Sequence, residues 1–495
     1  MKIIKMLISF ILILTICISV FSGCSEKTND AYIYFELPKI PSTLDPQTAS
    51  EDSELIIIRN IYEGLLRLDK DGKIVCGAAE SFQKNGLKYT FKIREDAIWS
   101  NGEPVTADDF VFSFMRAVNP KTKAPYASRL KCIKNARDII AGKKNYKTLG
   151  VKAQNSKTLI ITLDYADENF EKYLTTSVAM PCNEKLFTES AGKYGLFKDY
   201  IISNGSYKLT KWNKTSFGIR LYRHKEYSGN FYAKNAAVFI TCREDEDVKE
   251  KLKENHIDMA FIDCAYAPEL KEAGLDTIEY QNICWVLTIS RDFSYNMRNA
   301  LRMLIGSDIY SANLPYGYTP ASSLYPAVIT ENPPKNGISL YNLKSGKKLY
   351  HNEIAKLENN KFPENTILYY YDNGNIKNTV TDIVGHWQSQ LSAFVNIESA
   401  SDSSLLLPEL KNQTLPMSFF PVRADSENAS EYLQKFGVSK GDKSLGNVQG
   451  SILSDSTIIP IAFQNTCIAY SKVLTNLSTT CSNGFIDFSF IIKYE

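Results

Sequence analysis

From Ala31 onward the chain alternates between short strand-like segments and segments with apolar residues at helical spacing, and this alternation limits the fold more than any other feature. A-Y-I-Y-F-E-L (31–37) predicts a strand, and after L-D-P-Q the run L-I-I-I-R-N-I-Y-E-G-L (55–65) predicts a helix. K-Y-T-F-K-I-R (88–94) and T-L-I-I-T-L (158–163) read as half-buried strands, and N-G-S-Y-K-L (204–209) opens a strand, turn and strand unit. V-F-I-T-C, the charged helix E-D-V-K-E-K-L-K-E-N and I-D-M-A-F-I form a compact βαβ candidate. Further on, T-I-L-Y-Y-Y-D precedes Val380, Ile383, Val384, Trp387 and Leu391 at helical spacing, and F-V-N-I-E returns as a strand. Strands joined through helices pack as right-handed crossovers, so an α/β layer with a partly parallel sheet is expected, with Trp387 in its core. The Ser/Asn-rich stretches 398–414 and 439–456 are expected to be surface loops.

The stretch W-S-N-G-E-P-V-T-A-D-D-F (99–110) carries the strongest local signals. Asn101-Gly102 makes a turn, Pro104 fixes an extended approach, and Thr106 with Asp109 predicts a capping box that starts a helix with Phe110 and Phe114 on one face.

The first residues set the address. Lys2 and Lys5 precede an uncharged run from Met6 to Phe21, and F-S-G-C ends it at Cys24. This is a charged region, an apolar region and a small-residue cleavage site. F-S-G-C resembles a bacterial lipobox in which the Cys24 thiol takes a diacylglyceryl group, although Phe21 stands where Leu is usual. The competing reading is an uncleaved membrane helix. A lipid anchor would place the rest of the chain on the extracytoplasmic face of the cell membrane, tethered by the polar segment after Cys24.

The net charge of +2 falls to zero once Lys2 and Lys5 are removed, and no block of basic residues remains, which argues against nucleic acid as a partner. At 44% hydrophobic and 23% charged residues the chain is too apolar for a disordered protein. Ten cysteines is a high count for an exported protein, yet none forms a C-x-x-C pair, so buried free thiols are expected and no metal site. Cys467 and Cys481 could bridge a hairpin. Nucleotide-binding loops, the G-x-S-x-G elbow and H-E-x-x-H are all missing, and His224, His256, His351 and His386 stand apart from one another in sequence. Neither a cofactor nor an enzymatic reaction is expected.

Taken in order, L-D-P-Q, N-I-Y-E-G-L, D-G-K-I-V-C-G-A-A-E-S-F, Y-T-F-K-I-R, W-S-N-G-E-P-V-T-A-D-D-F-V-F-S-F-M-R, A-P-Y-A-S-R-L, L-G-V-K-A, S-N-G-S-Y-K-L-T-K-W and Y-G-Y-T-P resemble the extracellular oligopeptide-binding proteins, the solute receptors of ABC importers (family 5). The resemblance implies a two-lobed, periplasmic-binding-protein-like α/β fold (type II, cluster C) with an extra small α/β domain and a ligand cleft between the lobes. On this chain it implies a signal segment over 1–23, a tether over 24–31, a first lobe from 32–65, 182–283 and 461–495, the small domain over 66–181 and a second lobe over 284–460. The stretch W-S-N-G-E-P-V-T-A-D-D-F then belongs to the small domain, outside the cleft. The implied partners are an oligopeptide held in extended form, the membrane permease subunits and the lipid anchor, with the receptor a monomer.

The resemblance also implies site residues. Asp425, in P-V-R-A-D-S-E-N-A-S-E-Y-L, matches the aspartate that pairs with the peptide ammonium. Tyr126 matches a ligand-facing tyrosine, and Ser50, Glu51 and Asp52 match a segment that pairs its backbone with the peptide. Trp285 lies where aromatics approach the ligand, and Arg423 is placed to meet a ligand carboxylate or a surface acid. The second lobe departs from the pattern: Pro421-Val422 replaces Gly-Trp, A-S-D-S-S (400–404) replaces an expected tryptophan, and G-S-D-I-Y follows M-R-N-A-L-R-M-L-I after a deletion. Those departures keep three alternatives open: a sister receptor for another solute such as a nickel chelate, sugar or haem, a peptide-sensing lipoprotein without transport, and a lipoprotein hydrolase.

Overall fold

The computed structural model describes residues 31–213, 218–241, 247–329, 341–425, 428–437, 445–477 and 486–494. The expected signal segment, Cys24 and Cys481 lie outside them. Among the described residues no helix is long and apolar enough to cross a membrane.

Eleven strands form one continuous mixed sheet. Two of them are unusually long, Asp276–Ile289 and Ile458–Tyr470. They run antiparallel from the pair Asp276/Tyr470 to the pair Thr288/Ile458. At about 3.3 Å per residue each spans on the order of 45 Å, enough to serve two cores. Tyr280 and Ile468 pack in one core with Phe35, Ile56 and Phe239, whereas Trp285, Ile459 and Ile461 pack in another with Leu301, Leu368 and Trp387. The molecule is therefore two-lobed, with these strands crossing between the lobes.

In the first lobe the expected βαβ unit has a strand inserted into it. Ala236–Ile240 and Met259–Asp263 both run parallel to Tyr32–Glu36, which lies between them. In the second lobe Ile367–Tyr371 pairs in parallel with Asn396–Ala400, joined by the helix Lys377–Leu391. Val380, Ile383, Val384, Trp387 and Leu391 all face inward, and the Trp387 indole donates to the Leu301 carbonyl at 3.0 Å. A separate four-stranded antiparallel sheet, Ala79–Asn85, Lys88–Ile93, Thr158–Thr162 and Val151–Asn155, carries the helix Ala107–Val118. The capping box forms there as the sequence predicts: the Thr106 amide donates to Asp109 at 2.8 Å, and the buried Trp99 indole donates to the same carboxylate at 3.3 Å.

Two local expectations change. The helix starting at Asp52 stops at Ile61, short of the apolar run, because the Asn204 side chain holds both the amide (2.9 Å) and the carbonyl (2.8 Å) of Glu63 and draws the chain into an extended path. The stretch expected as a loop near the C-terminus contains the helix Leu445–Ser454. Its Leu453 packs with Phe420 and Ile458, and the Arg302 guanidinium donates to the Leu453 carbonyl at 2.7 Å, satisfying a helix-end acceptor.

The ordered motifs now acquire a physical reason. Asp45 of L-D-P-Q is buried and accepts from Arg116 Nη2 at 2.6 Å; Gln47 accepts from Arg116 Nη1 at 2.7 Å. Arg116 also lies 4.1 Å from the Phe187 ring centroid. Burial works against the Arg116 charge, but Asp45 outweighs it and holds the group protonated. Burial pushes the neighbouring Cys182 thiol up to about 12, so it stays neutral beside that cation. Glu63 of N-I-Y-E-G-L is a second hub, accepting from Arg94 at 2.8 Å and Tyr227 at 2.5 Å. Gly77 is required beside it, since a Cβ there would lie 2.7 Å from the Gly64 carbonyl oxygen.

In the second lobe Glu353 links the end of the helix Leu343–Ile354 to the start of the helix Tyr295–Met303: Lys356 bonds it from just past its own helix end, and Ser294 (2.6 Å) and Asn296 (3.0 Å) reach it from the other. The Lys356 hydrogen bond first, then Ser294, pulls the Glu353 carboxyl from 4.5 down to about 2. A depressed carboxyl contributes stability that is complete above its unfolded value and disappears as pH falls through its folded value. The wild type should therefore lose stability between about pH 4.5 and pH 2 more steeply than Glu353→Gln, as read from urea midpoints across that range. Parallel pH profiles for the two chains would overturn this assignment.

Candidate functional site

Where the lobes meet, the small domain and both lobes enclose one cavity with an empty volume of about 1020 Å³, part of it open to solvent. Its apolar wall is Leu55, Ile58, Tyr173 and Met180. Its charged groups are Asp52, Arg59, Arg129, Arg423, Asp425 and Glu431, with Lys172 at the edge. Neither histidine nor cysteine lines it among the described residues.

Five of the seven implied ligand residues meet here: Ser50, Asp52, Tyr126, Arg423 and Asp425. The helix Asp52–Ile61 presents Asp52 from the first lobe, and the strand Met417–Arg423 presents Arg423 from the second. The two side chains form an ion pair across the cleft. Burial opposes the Arg423 charge, but Asp52 raises its pKa above the usual value. A second bridge joins Arg129, beside Tyr126, to Glu431 at 3.0 Å, and the Asn428 amide donates to the Tyr173 hydroxyl at 2.9 Å. Tyr126 stacks its ring under the Arg129 guanidinium, 4.2 Å from the centroid, and donates to the Ser50 carbonyl at 3.4 Å. Burial, then the nearby Asp425 carboxylate, pushes the Tyr126 phenol up, so it remains a donor.

Asp425 already has a cation. Lys435 Nζ sits 2.6 Å from its carboxylate and donates to the Arg423 carbonyl at 2.8 Å. An ammonium held by one carboxylate and one backbone carbonyl is the arrangement that a peptide amino terminus would seek.

The other two implied residues lie elsewhere. Glu51 is the N-cap of the helix Asp52–Ile61, with its side chain turned toward Lys39 at 3.8 Å and 58% exposed. The amides of Ser50 and Glu51 are both engaged by the buried Glu54 carboxylate, at 3.0 and 3.2 Å, so those donors are committed inside the protein. Trp285 is 1% exposed in the core of the second lobe, stacked with Phe419 and Tyr371 while its indole donates to Gln464 at 2.7 Å. Sequence reasoning missed Arg59, Arg129, Glu431 and Lys435. Arg129 and Glu431 sit inside segments that carried the resemblance, but nothing in either segment signals that they face each other.

The chemistry available is an apolar trough between opposed charges, with aromatic hydroxyl and amide groups at its rim. It suits a ligand that offers both an ammonium or amide and an apolar body. The sequence pattern of the bacterial extracellular solute-binding proteins, family 5, matches residues 73–444.

The chain belongs to this family.

Curated relatives agree with that membership. The chain is 32% identical over 220 residues to the dipeptide-binding protein of Lactococcus lactis subsp. cremoris, covering 43% of this chain and 39% of that one. It is 35% identical over 223 residues to the periplasmic oligopeptide-binding protein OppA of Salmonella typhimurium, covering 44% and 41% respectively. Each match thus spans about two fifths of the relative's length. The fold aligns with Haemophilus influenzae OppA in complex with the peptide RPPGFSPFR at a TM-score of 0.78 and 21% identity, over 94% of this chain and 99% of that one. The two-lobed type II architecture of this family 5 protein is thereby established, and its class is that of solute-binding proteins.

Proposed function

We propose that this family 5 protein is a membrane-anchored extracytoplasmic receptor that binds oligopeptides in extended form and delivers them to the permease of an ABC importer. The observation that carries the reading is the cavity itself, where Asp52 and Tyr126 meet Arg423 and Asp425 across the lobe junction. Asp425 serves as the ammonium partner, since an amino terminus enclosed between lobes needs a counter-ion. Arg423 and Arg129 offer charge for a ligand carboxylate or for acidic side chains. Lobe closure over the ligand couples occupancy to docking on a transporter, and an acylated Cys24 keeps the receptor beside it. The names of the curated relatives and the peptide held by a structural relative support the same ligand class.

One observation favours a second reading. Lys435 takes the place of a ligand ammonium on Asp425, which suits a receptor retuned for a solute without a free amine, or one that senses a peptide without importing it.

Native mass spectrometry of the soluble chain, purified without denaturation, separates the readings. Release of a mixed set of short peptides is expected. An empty protein that also ignores a peptide library in thermal-shift assays would defeat the peptide reading in favour of a receptor retuned for another solute.

A further inference from the structure

Three side chains remote from the cleft converge on one face of the main sheet. Glu279 on the crossing strand Asp276–Ile289 stands directly opposite Cys467 on the crossing strand Ile458–Tyr470. On the other flank Ile262 is the residue opposite Cys467. Cys264 follows two positions later, just past the end of the strand Met259–Asp263, where it opens the short 3-10 turn Cys264–Tyr266. The two sulfurs and a Glu279 oxygen all lie within 4.8 Å of one another, with both cysteines fully buried.

The arrangement around the carboxylate is what separates this cluster from a chance meeting of thiols. Glu279 Oε1 accepts from Lys271 at 2.7 Å, Thr277 at 3.1 Å and Tyr316 at 3.2 Å. These bonds orient the group so that Oε2 faces the sulfurs, 3.4 Å from Cys264 Sγ. A tetrahedral ion with bonds of about 2.3 Å to sulfur and about 2.0 Å to oxygen would separate those two atoms by about 3.5 Å. Outer partners that fix a ligating carboxylate are the usual support of a metal centre. Charge also balances: two thiolates and a carboxylate carry three negative charges, which a divalent cation and the Lys271 ammonium neutralise. Gly317, at φ +81°, seals the site from above, since a Cβ there would lie 2.4 Å from Cys264 Sγ.

We propose that Cys264, Glu279 and Cys467 form a binding site for a thiophilic divalent cation of the zinc class, pinning both crossing strands at the first-lobe side of the hinge. Binding forms two metal–sulfur bonds and one metal–oxygen bond, and releases one proton from each thiol to solvent. The fourth position belongs to water, since Glu279 retains a solvent-exposed edge. Sequence spacing gave no hint of the site, because its ligands come from two strands and a turn that are not joined by any short motif.

Cobalt(II) titration of the reduced full chain tests this. One equivalent should produce thiolate-to-cobalt charge transfer and the visible bands of a tetrahedral ion, and zinc should displace it. Cys264→Ser and Cys467→Ser should each lose the charge-transfer band, and Thr277→Val should weaken binding about 10-fold. Cys132→Ser, in the small domain, should leave it intact. Zinc should raise the thermal midpoint of the wild type and of Cys132→Ser but not of Cys264→Ser or Cys467→Ser, which reads the site independently of the visible bands. Absence of thiolate bands, bands that survive in both cysteine variants, or a Cys264–Cys467 disulfide in the exported protein would each overturn the proposal.

Discussion

The Arg116→Met chain is expected to unfold at a lower urea concentration than the wild type, with a loss of about 3–5 kcal/mol. Arg116 and Asp45 are both buried, 9% and 7% exposed at the side chain, and their closest contact is 2.6 Å. Methionine keeps most of the volume against Phe187, so the loss comes from Asp45, left buried with no cation. Gln47 and Cys182 would lose the same donor. Adding Asp45→Asn to Arg116→Met should recover part of the loss, because the stranded charge is then gone. A single variant with wild-type stability would show that this pair does not hold the first lobe to the small domain.

Asp425→Ala is expected to weaken peptide binding about 100-fold, equivalent to about 3 kcal/mol, the cost of leaving a bound ammonium without its counter-ion. The measurement is calorimetric titration with a peptide recovered from the native protein and with its N-acetylated form. The wild type should prefer the free amine; Asp425→Ala should bind both forms equally weakly. Lys435→Met should move in the opposite direction, since it removes the internal ammonium that now occupies Asp425. Unchanged affinity in Asp425→Ala would remove the ammonium site from this cavity. A gain of affinity on Lys435→Met, seen only for the free amine, would identify Lys435 as a competitor for the ligand's place.

What could be read in the chain alone were features set by residues close in sequence. Thr106 and Asp109 are three positions apart, and their capping box forms as expected. Val380, Ile383, Val384, Trp387 and Leu391 encode a buried face through helical spacing, and the parallel partners on either side follow from crossover handedness. Family motifs such as L-D-P-Q were legible as signatures, although only the structure gave their reason, the buried Asp45–Arg116 pair.

The site was legible in part. Asp52, Tyr126, Arg423 and Asp425 were nameable through the resemblance, but their mutual contacts depend on how two lobes meet. Trp285 shows the limit: an aromatic on a crossing strand can face the cleft or the core, and the pairing of that strand with Met417–Arg423 and Ile458–Tyr470 turned it inward. The same register set Glu279 opposite Cys467. Local propensity, capping and periodicity act over a few residues and are written into the sequence; ion pairs such as Arg423–Asp52 and Lys435–Asp425, and the Cys264–Glu279–Cys467 cluster, depend on strand register and lobe packing. Those are decided by the sum of many distant contacts, which no short stretch of the chain contains.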